Sequence, residues 1–153
     1  MIKNFFTLSV FLIFVHCGFN PVHNVKNNLD YNIILVEKSG DKLINNQISN
    51  EINRISNSES SNILKLKLES NYQIIILSKD AKGSASEFQI IITSKFVIQK
   101  DLKEEIISYT EKQNYKKNSD LFDQKKYEEN IKKNLESQIV RKFNLELLTK
   151  NDI

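Results

Sequence analysis

The sequence contains a single cysteine, Cys17, and a single proline, Pro21. One thiol can neither close an internal disulfide nor supply a cysteine-based zinc site. The only histidines are His16 and His23, both close to the N-terminus, so neither a catalytic imidazole pair nor a histidine metal site is expected. Three glycines, Gly18, Gly40 and Gly83, are too few for a loop that cradles phosphate. No G-x-S-x-G, P-loop or H-E-x-x-H pattern occurs. Carboxylates do adjoin at Glu104-Glu105 and Glu128-Glu129, but they sit among lysines and read as solvated charge rather than an acid–base pair. The expectation is therefore no catalytic residue, no metal and no cofactor. Nor is charge of one sign abundant: 22 Lys+Arg face 19 Asp+Glu, a formal net charge of +3, which excludes the dense basic surface of a dedicated nucleic-acid binder. Arg54 and Arg141 are the only arginines, and the wealth of Ile, Lys and Asn resembles the residue bias of an AT-rich genome.

What is present begins at the N-terminus. Lys3 precedes a run from Phe5 to Val15 whose only polar members are Thr7 and Ser9. A positive n-region followed by an apolar stretch of this length is the pattern of a secretory signal, short for a permanent membrane span. Cys17 closes the run, which resembles the lipobox of bacterial lipoproteins, although His16 and Phe14 stand where a small residue and a leucine are usual. The expected organisation is a signal peptide over 1–16, a lipidated tether over 17–30 and one domain over 31–150. The tether is polar, contains Pro21 and several Asn, and lacks periodic apolar positions.

Periodicity orders the domain. Tyr31 to Lys38 is a short β-branched run that ends at Ser39-Gly40-Asp41 and reads as a strand and turn. Asp41 is a suitable N-cap, and Ile44, Ile48, Ile52 and Ile55 form one stripe of a helix from 41 to 56. Leu64, Leu66 and Leu68 then alternate with charged residues, and the strand continues to Leu77. After a polar turn at 79–83, alternation resumes from Ala85 to Gln99, with Phe88, Ile90, Ile92, Phe96 and Ile98 sharing one parity. A second turn at 100–103 leads to a strand over 105–115. From about Asp120 to Leu148, Tyr127, Ile131, Leu135, Ile139 and Phe143 return to steps of four, widened by Val140 and Leu147. The order β-α-β-β-β-α predicts an α+β, two-layer sandwich: two helices on one face of a four-stranded, mostly antiparallel sheet.

With its start at Cys17-Gly18-Phe19-Asn20-Pro21 and this element order, the chain resembles the LPS-assembly lipoprotein LptE family. Tyr109, in IISYTEKQNY, stands at the place of the tyrosine in that family's last strand. The resemblance implies a lipid-anchored protein of the outer membrane that faces the periplasm. It further implies partnership with a large LptD-type β-barrel, which it partly plugs, and help for lipopolysaccharide on its way to the outer leaflet. Under that reading Lys79, Lys82, Lys100 and Lys103, all near turns, are candidate contacts for phosphates and acidic sugars. Two alternatives are an auxiliary lipoprotein subunit of a lipid-transport ABC system and a small periplasmic hydrolase. No nucleophile–base pair beside a glycine turn favours the latter.

The anchor yields a direct test. Acyl chains on Cys17 would bury tens of methylenes at about 0.8 kcal/mol each, far beyond reversible attachment. Residue two of the processed chain would be Gly18 rather than the Asp that commonly retains lipoproteins at the inner membrane. Cys17→Ser is expected to lose metabolic lipid label and leave the membrane fraction, while the natural chain co-sediments with outer membrane. Persistent labelling of the variant would assign the anchor elsewhere.

Overall fold

The computed structural model describes residues 29–150. The signal segment, Cys17 and all of the tether before Leu29 lie outside them. The elements are β1 (Asn32–Gly40), α1 (Lys42–Ile55), β2 (Ile63–Lys79), β3 (Ala85–Lys100), β4 (Lys103–Lys116) and α2 (Leu121–Thr149). They form one four-stranded sheet in the order β1-β2-β3-β4. β1 runs parallel to β2, and both later pairs are antiparallel. The parallel pair needs a crossover, which α1 provides, whereas the antiparallel pairs are closed by short turns. The β-α-β-β-β-α sandwich expected from periodicity is the fold observed, and each element lies within a few residues of its expected bounds.

The first junction shows how local chemistry steers the chain. β1 runs two residues past the expected Lys38, with a bulge between Leu35 and Glu37, and stops at Gly40. Gly40 has φ +84, a conformation natural to glycine, and a Cβ there would run into the Ser70 carbonyl oxygen. The Asp41 amide then donates to that same oxygen at 2.7 Å. The Asp41 carboxylate accepts from the amides of Leu43 and Ile44, both at 3.0 Å, and so starts α1 by satisfying two of its orphan donors. Asp120 caps α2 in the same way, accepting from Phe122 and Asp123.

The core lies between the sheet and the helix layer. Leu64, Leu66, Leu68, Ile90, Ile92, Phe96 and Ile98 point towards the helices and are buried, as their parity required. They meet Ile44, Ile48 and Ile52 of α1 and Ile131, Leu135, Ile139, Phe143 and Leu147 of α2. Phe96 and Phe143 stack with centroids 4.4 Å apart, joining the layers at the centre. Tyr109 straps β4 to α2: its ring lies 6.1 Å from that of Phe96 and its hydroxyl donates to the Lys142 carbonyl. Leu29, read in the sequence as tether, is already in the core at 1% exposure. Asp30 fixes the entry point, accepting from Ser60 Oγ and from Asn62 Nδ2. Tyr127, expected in the apolar stripe of α2, is instead 49% exposed, because the first turns of this 29-residue helix reach past α1.

Polar residues are also taken into the helix layer. Asn45 and Ser49 of α1 are buried, as are Glu136 and Asn144 of α2. The Asn45 side chain donates to the Ser39 carbonyl at 2.6 Å. Burial pushes the Glu136 carboxyl up to about 7; Lys132 and Lys133 oppose the rise and Asp41 adds to it. The Gln47 side-chain nitrogen donates to Glu136 Oε1 at 3.1 Å.

Two stability measurements follow for the chain lacking residues 1–17. Ile92 and Leu135 are fully buried on facing layers, so Ile92→Ala and Leu135→Ala should each cost roughly 2–5 kcal/mol by denaturant midpoint. An unchanged midpoint in both would contradict this packing. Because the folded state holds the Glu136 proton more tightly than the unfolded chain, its contribution to stability is greatest at low pH. That contribution should fall as pH rises from the ordinary carboxylate range through about 7, then level off. Glu136→Gln should remove that fall and gain on the order of 1–3 kcal/mol at pH 8. Parallel pH profiles for the two proteins would assign the dependence to another group.

Candidate functional site

The fold divides the four candidate lysines into two pairs. Lys79 and Lys82 stand at the β2–β3 turn, Lys100 and Lys103 at the β3–β4 turn, and the 16 residues of β3 separate them by about 50 Å. They cannot converge on one phosphate. The two ends differ in what surrounds the cations.

At the β3–β4 turn carboxylates are close at hand. Asp101 takes the left-handed position of the turn at φ 53, and Glu104 accepts from Gln99 at 2.8 Å. Lys150, at the end of α2, is held by Glu105 and by Glu146, the latter at 2.8 Å, and these bonds push its amine up to about 12. Lys100 lies 5.4 Å from the centre of the Tyr31 ring. A cleft of about 530 Å³ at this end is lined by Ile63, Lys65, Gln99, Asp101, Leu102, Lys103 and Glu104, with acids and cations in balance.

The opposite end is richer in cations. The register pairs Glu87 with Lys116, and the Lys117 amide donates to the Ser86 carbonyl at 2.9 Å, so the end of β4 lies beside the β2–β3 turn. Lys116 and Lys117 thereby join the end that holds Lys79 and Lys82. An open cavity of about 850 Å³ there is lined by Glu87, Asn114, Tyr115, Lys116, Lys117, Asn118, Ser119 and Tyr127. Tyr115 stacks on Phe88 at 5.2 Å and meets Tyr127 edge-on at 6.3 Å. Its hydroxyl donates to Glu128 at 2.7 Å; burial first, and then that carboxylate, push the phenol above its usual range. Aromatic faces, side-chain amides and ammonium groups together suit an anionic, hydroxylated ligand. Sequence reading missed Lys116, Lys117 and Tyr127. The signal was the register itself: extending the antiparallel pairing from the Lys100–Lys103 turn carries Glu87 to Lys116.

The sheet face turned away from the helices is a further surface. Thr93 and Thr110 hydroxyls bond across β3 and β4 at 3.0 Å, and Gln89 donates to Asn114 at 2.6 Å. Lys67 lies 3.6 Å from Glu37 on the same face. These polar pairs share the face with aliphatic side chains, among them the cross-strand pair Val97–Ile106 and Ile75.

No family model matches the sequence, and no curated protein does. The fold is similar to that of rare lipoprotein B from Shewanella oneidensis, with a TM-score of 0.58 at 17% identity, covering 79% of this chain and 96% of that one. It is also similar to a candidate lipoprotein of Caulobacter crescentus, with a TM-score of 0.55 at 14% identity, covering 80% and 90% of the two chains. What is shared at these identities is the architecture, and both proteins are described as lipoproteins.

Proposed function

We infer that the chain is a lipid-anchored envelope protein with a binding and assembly role: the partner and partial plug of an LptD-type outer-membrane β-barrel through which lipopolysaccharide passes. The observation that carries this reading is the two-layer fold shared over most of both chains with rare lipoprotein B, joined to a lipobox-like Cys17 and the Cys-Gly-Phe-Asn-Pro start. The architecture and the N-terminal pentad are separate features of the chain, and both favour the same class of protein. The reading requires no catalysis. It requires a rigid body with wettable sides, and the paired hydroxyl and amide ladder of the open sheet face supplies one. A wide barrel lumen is lined by polar side chains, so these bonded groups can lie against it without being left desolvated and unpaired.

Lipopolysaccharide contact is assigned to the turn lysines. Lys79 and Lys82 have Lys116 and Lys117 at the same end against Asp80 and Glu87, whereas Asp101 and Glu104 offset Lys65 and Lys103 beside Lys100. The Lys79/Lys82 end is therefore the stronger candidate for phosphate and acidic sugar. Cys17 would hold the domain at the periplasmic side of the outer membrane.

Affinity capture from solubilised membranes should recover a large β-barrel. Reversal of Lys79, Lys82, Lys100 and Lys103 to Glu together should weaken salt-sensitive lipopolysaccharide binding roughly tenfold or more while barrel capture persists. Reversing only the pair Lys79 and Lys82 should account for most of the loss. Recovery of an inner-membrane ABC transporter in place of a barrel would move the assignment to an auxiliary transport lipoprotein. Unchanged lipopolysaccharide binding in the quadruple variant would leave these lysines as solubilising groups.

A further inference from the structure

β2 is nearly twice as long as the strand beside it. Its 17 residues pair with β3 as far as Lys79, but β1 covers only Ile63 to Ser70. From Asn71 to Lys79 the outer edge of β2 has no neighbouring strand among the described residues. Ile74, Ile75, Ile76 and Leu77 on this edge are 42%, 39%, 54% and 42% exposed. Successive residues point to opposite faces, so the edge is apolar on both sides. Between Glu69 and Lys79 there is no charge and no proline to blunt the edge, and its register against β3 is regular from Asn71 to Ile76, with irregularities confined to 77–79. The other two free edges are protected: β4 carries Lys103, Glu104, Glu111 and Lys112, and β1 is short, bulged and bears Glu37 and Lys38.

We propose that this edge pairs with the same edge of a second copy of the chain, antiparallel about a two-fold axis near Ile75, merging two four-stranded sheets into one of eight. The axis stands perpendicular to the sheet, so both helix layers fall on the same side. The chemistry matches itself. Ile74 of each copy meets Ile76 of the other on the helix side, and Ile75 meets its own counterpart on the open side, as cross-strand aliphatic pairs, while Leu77 stands opposite Gln73. Charge matches as well: the β2–β3 hairpin of each copy carries Lys79 and Lys82 towards the place where β1 leaves the other sheet, beside the exposed Glu69. Symmetry makes each contact twice, as a closed isologous interface requires. A single strand pair buries less than a standard interface, so the dimer is weak, with Kd on the order of tens of micromolar. The inference stands apart from the barrel reading, which it neither uses nor requires.

Sedimentation of the full chain in density-matched detergent tests it. The natural protein should pass from monomer to dimer with concentration, and the amides of 71–79 should gain hydrogen-exchange protection in step. Ile75→Lys, at an exposed position, should keep the far-UV spectrum and remain monomeric. Glu69→Lys should weaken association about tenfold, and adding Lys79→Glu and Lys82→Glu to it should restore much of the loss. A natural chain that stays monomeric up to about 1 mM overturns the proposal. So does a dimer that survives Ile75→Lys, a triple variant no tighter than Glu69→Lys, or an edge that becomes protected only when a barrel protein is added.

Discussion

At Gly40 the first strand is stopped by the carbonyl of Ser70. That oxygen takes the Asp41 amide, excludes any side chain at Gly40, and turns the chain out of the sheet into α1. Much of the architecture hangs on this contact. It fixes the level at which α1 begins, hence which residues of β2 lie beneath the Ile44–Ile48–Ile52 stripe. It also limits β1 to nine residues against the 17 of β2, leaving the upper part of β2 bare on one side. α2, 29 residues long, extends past α1 and covers the end of β4, where Tyr115 reaches Glu128, but Ile74 and Ile76 stay exposed. A helix layer of unequal lengths thus produces both the aromatic cavity at one end of the molecule and the uncovered aliphatic edge.

The elements legible in the sequence were those governed by a period or a cap. Leu64, Leu66 and Leu68 had to share a face, and Ile44, Ile48 and Ile52 had to share a stripe, whatever the topology. Asp41 announced the start of α1 because a carboxylate there can accept from the free amides of the first turn, and the apolar stripe alone placed the start of α2 near Asp120. What escaped was set by relative position rather than pattern. Tyr127 kept the helical step of four yet is half exposed, since burial depends on what α2 passes over. Glu136 reads as one more solvated acid of a charged helix, and only the approach of α1 buries it. Leu29 looked like tether because no periodic neighbour marks it.

The candidate site was legible in composition and illegible in space. Turn lysines are visible in any sequence, but Lys79 and Lys100 belong to opposite ends of a strand about 50 Å long. Lys116 and Lys117, distant in sequence from Lys82, are brought to the same end of the sheet by hairpin register alone. At one end Lys79, Lys82, Lys116 and Lys117 stand with Asp80 and Glu87, while at the other Lys65, Lys100, Lys103 and Lys150 stand with Asp101, Glu104, Glu105 and Glu146. A charge count near zero thereby conceals a molecule with two unlike poles.

That polarity bears on how a chain without catalytic groups can act. A binding protein of this kind works through surface, and here the surface is partitioned by the fold. On the open sheet face Thr93 with Thr110 and Gln89 with Asn114 are already bonded to one another, so these groups can lie against a polar wall without a large desolvation cost. The Lys116–Lys117 end keeps ammonium groups beside aromatic rings, which suits a phosphorylated, hydroxylated ligand. The Ile74–Leu77 edge offers unsatisfied backbone and aliphatic side chains, which suits another strand. These three demands are chemically incompatible in one patch. A two-layer sandwich separates them because its sheet has a covered face, an open face, two ends and an edge. Leaving β1 short therefore adds the third surface without disturbing the other two.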